Sequence, residues 1–278
     1  MLNGTLCIPP EEGFDYLSTV VKSSVFLPLF RTISINASNF INAGADIVQE
    51  LAFAISMGSE YLTQLTQRGI SCATVNSKIK FSFGTGSNYF TEIAKLRAAR
   101  LLWSVVTNGF TPCNSSNIKM DIHCVTSKWN KTVYDPYVNL LRTQTEAMSA
   151  ILGGTDSLTV EPFDTVFRHP DEFSERIARN QQLILNEEAY FDKVADPAAG
   201  SYYIENLTSL IAENAWKLFV ELEEKGGFLA CLKSGVIQSK LSESSKKRGS
   251  DLATRKTILL GTNQYPNTLE KISDTLQV

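Results

Sequence analysis

The sequence is poor in the residues that bind metals and move protons. Its 278 residues include 2 histidines, His123 and His169, and these do not stand at ligand spacing, which argues against a transition-metal site. The 5 cysteines, Cys7, Cys72, Cys113, Cys124 and Cys231, are scattered, odd in number and form no C-x-x-C pair. That pattern fits reduced thiols better than disulfides or zinc. No apolar run approaches the ~20 residues of a membrane span. The opening MLNGTLCIPPEEG lacks both the basic end and the apolar stretch of a signal peptide. A cytoplasmic protein is therefore expected. The Asn-x-Ser/Thr triplets at Asn3, Asn36, Asn114, Asn130 and Asn206 then read as incidental, because glycan attachment requires secretion. An excess of one charge is missing too: a net charge of -3 gives no electrostatic case for nucleic acid or an anionic membrane.

What is present is ordinary globular composition, 43% hydrophobic and 20% charged, at a length that suits one large α/β domain or two small ones. A strand–helix unit repeats along the chain. Candidate strands are Thr32–Asn36, Lys78–Phe83, Lys119–Val125 and Asp156–Val160. After the first, Ile47, Val48, Leu51, Ile55 and Leu62 recur at helical spacing to about Gln67, with Gly69 as a C-cap. The second is followed by a helix from Asn88 to about Thr107, closed by Asn108-Gly109, and the third by one that enters at Asp135-Pro136 and ends at Gly153-Gly154. The helix after the fourth opens near Pro170-Asp171-Glu172, where two acidic residues suit the helix dipole. The tail is helical over Leu207–Lys225, Phe228–Lys233 and a basic Val236–Arg255, and Thr257–Leu260 is a candidate edge strand.

This alternation predicts an α/β fold of parallel strands with right-handed crossovers. Four units are half of an eight-unit barrel, and half a barrel must cover its sheet edges some other way, through more chain or a second copy. In such folds the chemistry sits where strands give way to helices at their carboxyl ends. The corner after Ile33-Ser34-Ile35-Asn36 holds Ala37, Ser38 and Asn39, none of which acts as an acid or base near neutral pH.

Several long blocks carry a resemblance. NYFTEIAKLRAARLLW from Asn88, DPYVNLLRTQTEAM from Asp135, GGTDSL from Gly153, RIARNQQLILNEEAYFDKVADPAAGSYYIENLT from Arg176 and ILLGTNQY from Ile258 resemble, in order, the adenosylcobalamin-dependent methylmalonyl-CoA mutases. The similarity runs from about Ile8 to Tyr265. It implies a TIM-type barrel holding an acyl-CoA along its axis, with a separate flavodoxin-like domain for the corrin. The chain looks like the later half of that barrel, residues 1–205, with a helical linker segment, 206–278; the earlier half and the corrin domain are not in it. Catalytic members carry Tyr-His where Ser38-Asn39 stands here. Their His-x-Gln on the third strand becomes His123-Cys124-Val125, their Thr-Gln-Ser-Leu-His-Thr-Asn becomes Thr155–Glu161, and an Arg that meets the CoA phosphates becomes Lys78. The resemblance thus implies a vestigial substrate pocket marked by Lys78, His123 and Ser157, with no catalytic, cofactor or metal residues. It is similar to the small, non-catalytic subunit of heterodimeric members, whose partners are a large catalytic subunit that binds adenosylcobalamin and, in the complex, acyl-CoA. The alternative is a fragment of an active acyl-CoA mutase chain with an altered pocket.

Plainer readings stand beside these. His123 on an apolar strand fits a satisfied core histidine better than a catalytic one. Asp121–Thr126 nearly spells the Asp-x-His-x-x-Gly cobalamin signature but lacks its glycine. Gly84-Thr85-Gly86 reads as a tight turn rather than a dinucleotide loop, since Tyr89 stands where a third glycine is needed. His169 reads as solvated, and Glu187, Glu188 and Asp192 as a solvated acidic face. The basic run Ser244–Ser250 reads as a surface linker whose charge could meet CoA phosphates in a complex. Lys78 or Lys80 as a Schiff-base nucleophile lacks a recognisable activating group.

Overall fold

The structure is a computed structural model that describes residues 8–110 and 119–270; Cys7, Cys113 and the triplets at Asn3 and Asn114 lie outside them. The four expected strands form one parallel sheet in chain order: β1 (Ile33–Asn36), β2 (Ile79–Thr85), β3 (Ile122–Thr126) and β4 (Ser157–Thr159). Alternation along them decides the faces. Ile33, Ile35, Ile79, Phe81, Phe83, Ile122 and Cys124 are buried in the main core, while Ser34 and Asn36 on the other face are exposed. A period of two allows no other division once one face is covered.

The covering layer begins with α1 (Pro10–Ser23), α2 (Ser38–Asn42), α3 (Ile47–Gln67), α4 (Cys72–Lys78) and α5 (Tyr89–Phe110). It continues with α6 (Val138–Leu152), α7 (Glu172–Leu183) with a π-helical turn (Ile184–Glu188), α8 (Tyr202–Glu224), α9 (Gly227–Lys233) and α10 (Val236–Ala253). Local chemistry sets several starts. Asp46 accepts from the Gln49 amide at 2.8 Å while the Gln49 side chain accepts from the Asp46 amide at 3.2 Å, a capping box that opens α3. Asp171 and Ser174 do the same for α7. Between α3, α5 and the sheet, Trp103 meets Phe81 edge-on with centroids 4.8 Å apart and donates to Asn76 Oδ1 at 2.7 Å. A buried indole needs such a partner.

Four expectations need correction. The second long helix runs through Asn108-Gly109 to Phe110, because Phe110 packs onto the core and rewards the extra turn. Gly84 and Thr85 belong to β2 rather than to a tight turn. Lys78 closes α4 instead of opening β2. Thr257–Leu260 is not a sheet strand; the segment makes one isolated bridge, Leu260 to Gln264. Beyond residue 205 the packing is continuous: Ile211, Ala215, Phe219 and Leu222 of α8 share one core with α3 and α5. No helix among the described residues is long and apolar enough to cross a membrane.

Candidate functional site

Two surfaces could carry function: the sheet face turned away from the helices, and the loops at the strands' carboxyl ends.

On the open face, register brings two of the three expected pocket residues together. His123 lies beside Ser157 in the β3–β4 pair, and its Nδ1 is 2.8 Å from Ser157 Oγ. Its Nε2 is 3.2 Å from Thr159 Oγ1. Both ring nitrogens are therefore engaged by hydroxyls of β4. Partial burial, helped by the nearby Lys80 ammonium, holds the imidazole below its ordinary pKa of 6.5, so the neutral ring is favoured. The expected core histidine is thus half-buried and hydrogen-bonded, on the face away from the apolar core. One strand-step earlier, Asp121 accepts from Arg31 Nε at 2.7 Å and lies 3.7 Å from Lys80 Nζ. Ser34 Oγ donates to Asn36 Oδ1 at 2.8 Å. The polar groups of this face mostly satisfy one another.

Lys78 is not part of it, which corrects the expectation that its charge faces a phosphate. The side chain is 1% exposed, and its ammonium donates to the carbonyls of Ser24, Leu27 and Phe30 at 2.7, 2.6 and 3.3 Å. An ammonium has three donors and all are spent here. Lys78 holds the loop after α1, which carries Phe26 and Leu29 in exposed positions.

At the carboxyl ends, Ser38 and Asn39 sit in the short α2, with Asn39 exposed, and neither side chain makes a hydrogen bond within the described residues. The neighbouring β2 end is held by a fully buried ionic cluster absent from the expectations. Glu50 of α3 accepts from the Gly84 amide at 2.7 Å and from Lys95 Nζ at 2.7 Å. Lys95 also contacts Glu92 at 2.6 Å, and Glu92 accepts from the Gly86 amide at 3.0 Å. Burial pushes the Glu50 carboxyl up to about 7, against the pull of Lys95. For Lys95 burial acts downward, but the two carboxylates outweigh it and keep the ammonium charged. The traceable signals were Glu50 inside an apolar stripe and Glu92 and Lys95 one turn apart. Gly84 must be glycine here: a Cβ would come 2.2 Å from Ile41 Cγ2.

His169 is exposed, as expected. Glu187 and Glu188 are exposed on a π-helical turn, without a cation partner among the described residues. Among the described residues no group of three or more His, Cys, Asp or Glu side chains could hold a metal. Cys124 and Cys231 are buried thiols, and burial raises the pKa of both.

Parallel strands in chain order, helices on one side and loops gathered at the carboxyl ends make this chain part of a TIM-type (β/α) barrel. The chain belongs to the methylmalonyl-CoA mutase family, whose model matches residues 1–278. It is 52% identical over 258 residues, 92% of this chain, to the methylmalonyl-CoA mutase small subunit of Porphyromonas gingivalis, of which it covers 42%. It is 39% identical to methylmalonyl-CoA mutase of Rhizobium meliloti and 36% identical to that of Escherichia coli, in each case over 100% of this chain and 39% of the relative. The chain thus spans about two fifths of the length of these relatives.

Proposed function

We propose that this chain is the later barrel half of a small mutase subunit that supports a larger catalytic subunit interconverting methylmalonyl-CoA and succinyl-CoA in the cytoplasm. Residues 206–278 are then the segment that leads out of the barrel. The observation that carries this reading is the state of the polar groups on the open face and at the strand ends. Ser38 and Asn39 offer no acid or base, and His123 has both ring nitrogens committed to Ser157 and Thr159. Activation of a thioester needs donors preorganised at its oxygen, and losing one typically costs ~10²–10³ in rate. His123 and Ser157 are the remnant of a substrate channel rather than working groups.

Adenosylcobalamin supplies the radical chemistry to this family, and the residues of this chain do not fit it. A histidine that would hold such a group needs a ring nitrogen free to reach it. His123 is fixed within β3, and His169 sits in a turn before Pro170 with no glycine loop around it. The cofactor therefore belongs to the partner chain.

The test is spectral titration of the purified chain with adenosylcobalamin and a coupled turnover assay, alone and with a larger mutase chain. Neither binding nor turnover is expected alone. With the partner, turnover should appear and Asn39→Ala should leave its rate nearly unchanged. Micromolar cofactor binding or turnover by the chain alone would overturn the subunit reading.

A further inference from the structure

The described arginines divide sharply. Arg31, Arg68, Arg97, Arg100 and Arg168 each pair with a carboxylate, and Arg176, Arg179 and Arg255 are exposed to solvent. Arg142 and Arg248 alone are half-buried with no carboxylate of the described residues within ion-pair distance. Both line one cavity of about 270 Å³, close to the lower end of ligand-pocket sizes. Ser87, Trp129 and Asn130, just past the carboxyl ends of β2 and β3, line it too, with the 257–260 loop across from them.

Each guanidinium is held in place by neutral groups. Arg248 comes from the basic run Ser244–Ser250, whose Lys246 and Lys247 are exposed. It alone turns inward, stacking 4.4 Å over the Trp129 ring and donating from Nη1 to the Ala45 carbonyl at 2.8 Å. Its Nε and Nη2 have no acceptor among the described residues. Arg142 donates to Thr132 Oγ1, Asn139 Oδ1 and the Leu260 carbonyl, which orient the fork without neutralising it. Burial lowers the pKa of both groups, against the longer-range pull of Asp46, Glu92 and Glu50 on Arg248 and of Glu146 and Asp135 on Arg142. Among the described residues the one carboxylate lining the cavity is Asp251, which has Lys256 Nζ 3.9 Å away.

We propose that this cavity is an oxyanion-binding site that takes a phosphate or carboxylate group of a small molecule between Arg142 and Arg248. Two planar forks suit an oxyanion, and the Ser87 hydroxyl adds a neutral donor, whereas the Asn130 amide already donates to Glu146. The site ties together three segments far apart in sequence, at the strand ends where this fold keeps its functional loops.

Calorimetric titration of the full chain with inorganic phosphate, and separately with malonate, at low ionic strength tests it. Saturable binding is expected, weakened roughly tenfold or more in Arg248→Gln because a charge-assisted hydrogen bond is lost. It should be unchanged in Lys247→Gln, which removes the same charge from the exposed side of the same helix. The tighter of the two probes assigns the group as phosphate or carboxylate. Arg142→Gln loosens Thr132 and Asn139 as well, so it is read only alongside an unchanged circular dichroism spectrum. Absence of saturable binding, equal loss in Lys247→Gln, or full binding by a folded Arg248→Gln would overturn the site.

Discussion

Replacing Lys95 by methionine tests the buried cluster at the end of β2 directly. Methionine keeps most of the side-chain volume and removes only the charge and its hydrogen bonds. In the native chain Lys95, 0% exposed, stands between Glu50 at 2.7 Å and Glu92 at 2.6 Å. Without it, two carboxylates face each other in a dry interior. Breaking a buried ion pair from one side costs about 3–5 kcal/mol. The pH dependence identifies the cause. Glu50 titrates at about 7 even beside Lys95, and losing that cation raises it further. The folded variant therefore binds more protons than the folded parent around neutrality. Its stability relative to the parent must then fall as pH rises. At pH 7.5 the full penalty is expected; at pH 5.5, where the Glu50 carboxyl carries its proton, it should shrink by on the order of 1 kcal/mol. Urea unfolding followed by tryptophan fluorescence reads this as a midpoint lowered by about 1–2 M at pH 7.5. A shift that is the same at both pH values would show that the cost is packing rather than charge and would refute this account of the cluster.

Three further outcomes follow from the geometry. Gly84→Ala places a Cβ 2.2 Å from Ile41 Cγ2, and thermal melting should show a loss of about 1–3 kcal/mol; a neutral change would mean that Ile41 is free to move. The parent itself should lose stability between pH 5.5 and 7. Burial raises Glu50 and Glu146 from 4.5 to about 7, so what each adds below 4.5 is lost as pH climbs through 7, on the order of 1 kcal/mol per unit for each group. His123, lowered from 6.5, acts in the opposite sense, one group against two; urea midpoints that rise steadily over that window would contradict the assignment. Finally, β1 and β4 are each paired on one side only within the described residues, so the isolated chain should self-associate at micromolar concentration, and a sharply melting monomer in sedimentation would count against an open half-barrel.

Strand order, parallel pairing and some helix starts were legible in the sequence because local signals carried them, although the tail helix begins at Tyr202 rather than Leu207 and α1 and α4 were not read from it. Ile33 and Ile35, or Phe81 and Phe83, alternate with polar neighbours, and Asp46 and Asp171 stand at their caps three residues before Gln49 and Ser174. What misled was the weight given to single residues. Asn108-Gly109 reads as a stop, yet a glycine in a helix costs only ~1 kcal/mol and the burial of Phe110 outweighs it. Lys78 reads as a pocket charge because nothing local reveals the Ser24, Leu27 and Phe30 carbonyls some fifty positions away. The Glu50–Lys95–Glu92 cluster and the Arg142–Arg248 cavity were hidden for the same reason. Each joins segments whose meeting depends on the assembled sheet.

The open face of the sheet bears on whether the chain keeps a working channel or only the frame of one. A site preorganised for a ligand holds donors that its own structure leaves unspent. Along this face the pairs close on themselves: Arg31 with Asp121, Lys80 near that same carboxylate, Ser34 with Asn36, and His123 with Ser157 and Thr159. A ligand entering there would have to break these contacts and replace each at equal strength, so the face gains little by binding. Frame residues cannot drift this way, because a substitution at Phe81 or Trp103 opens a cavity costing about 3–5 kcal/mol. Polar residues that contact only one another are free of that constraint. This contrast accords with the supporting role proposed above, in which the frame is kept and the inner face does not serve substrate. The two arginines at the strand ends are the exception, since they remain unpaired where every other described arginine is either matched with a carboxylate or exposed to water.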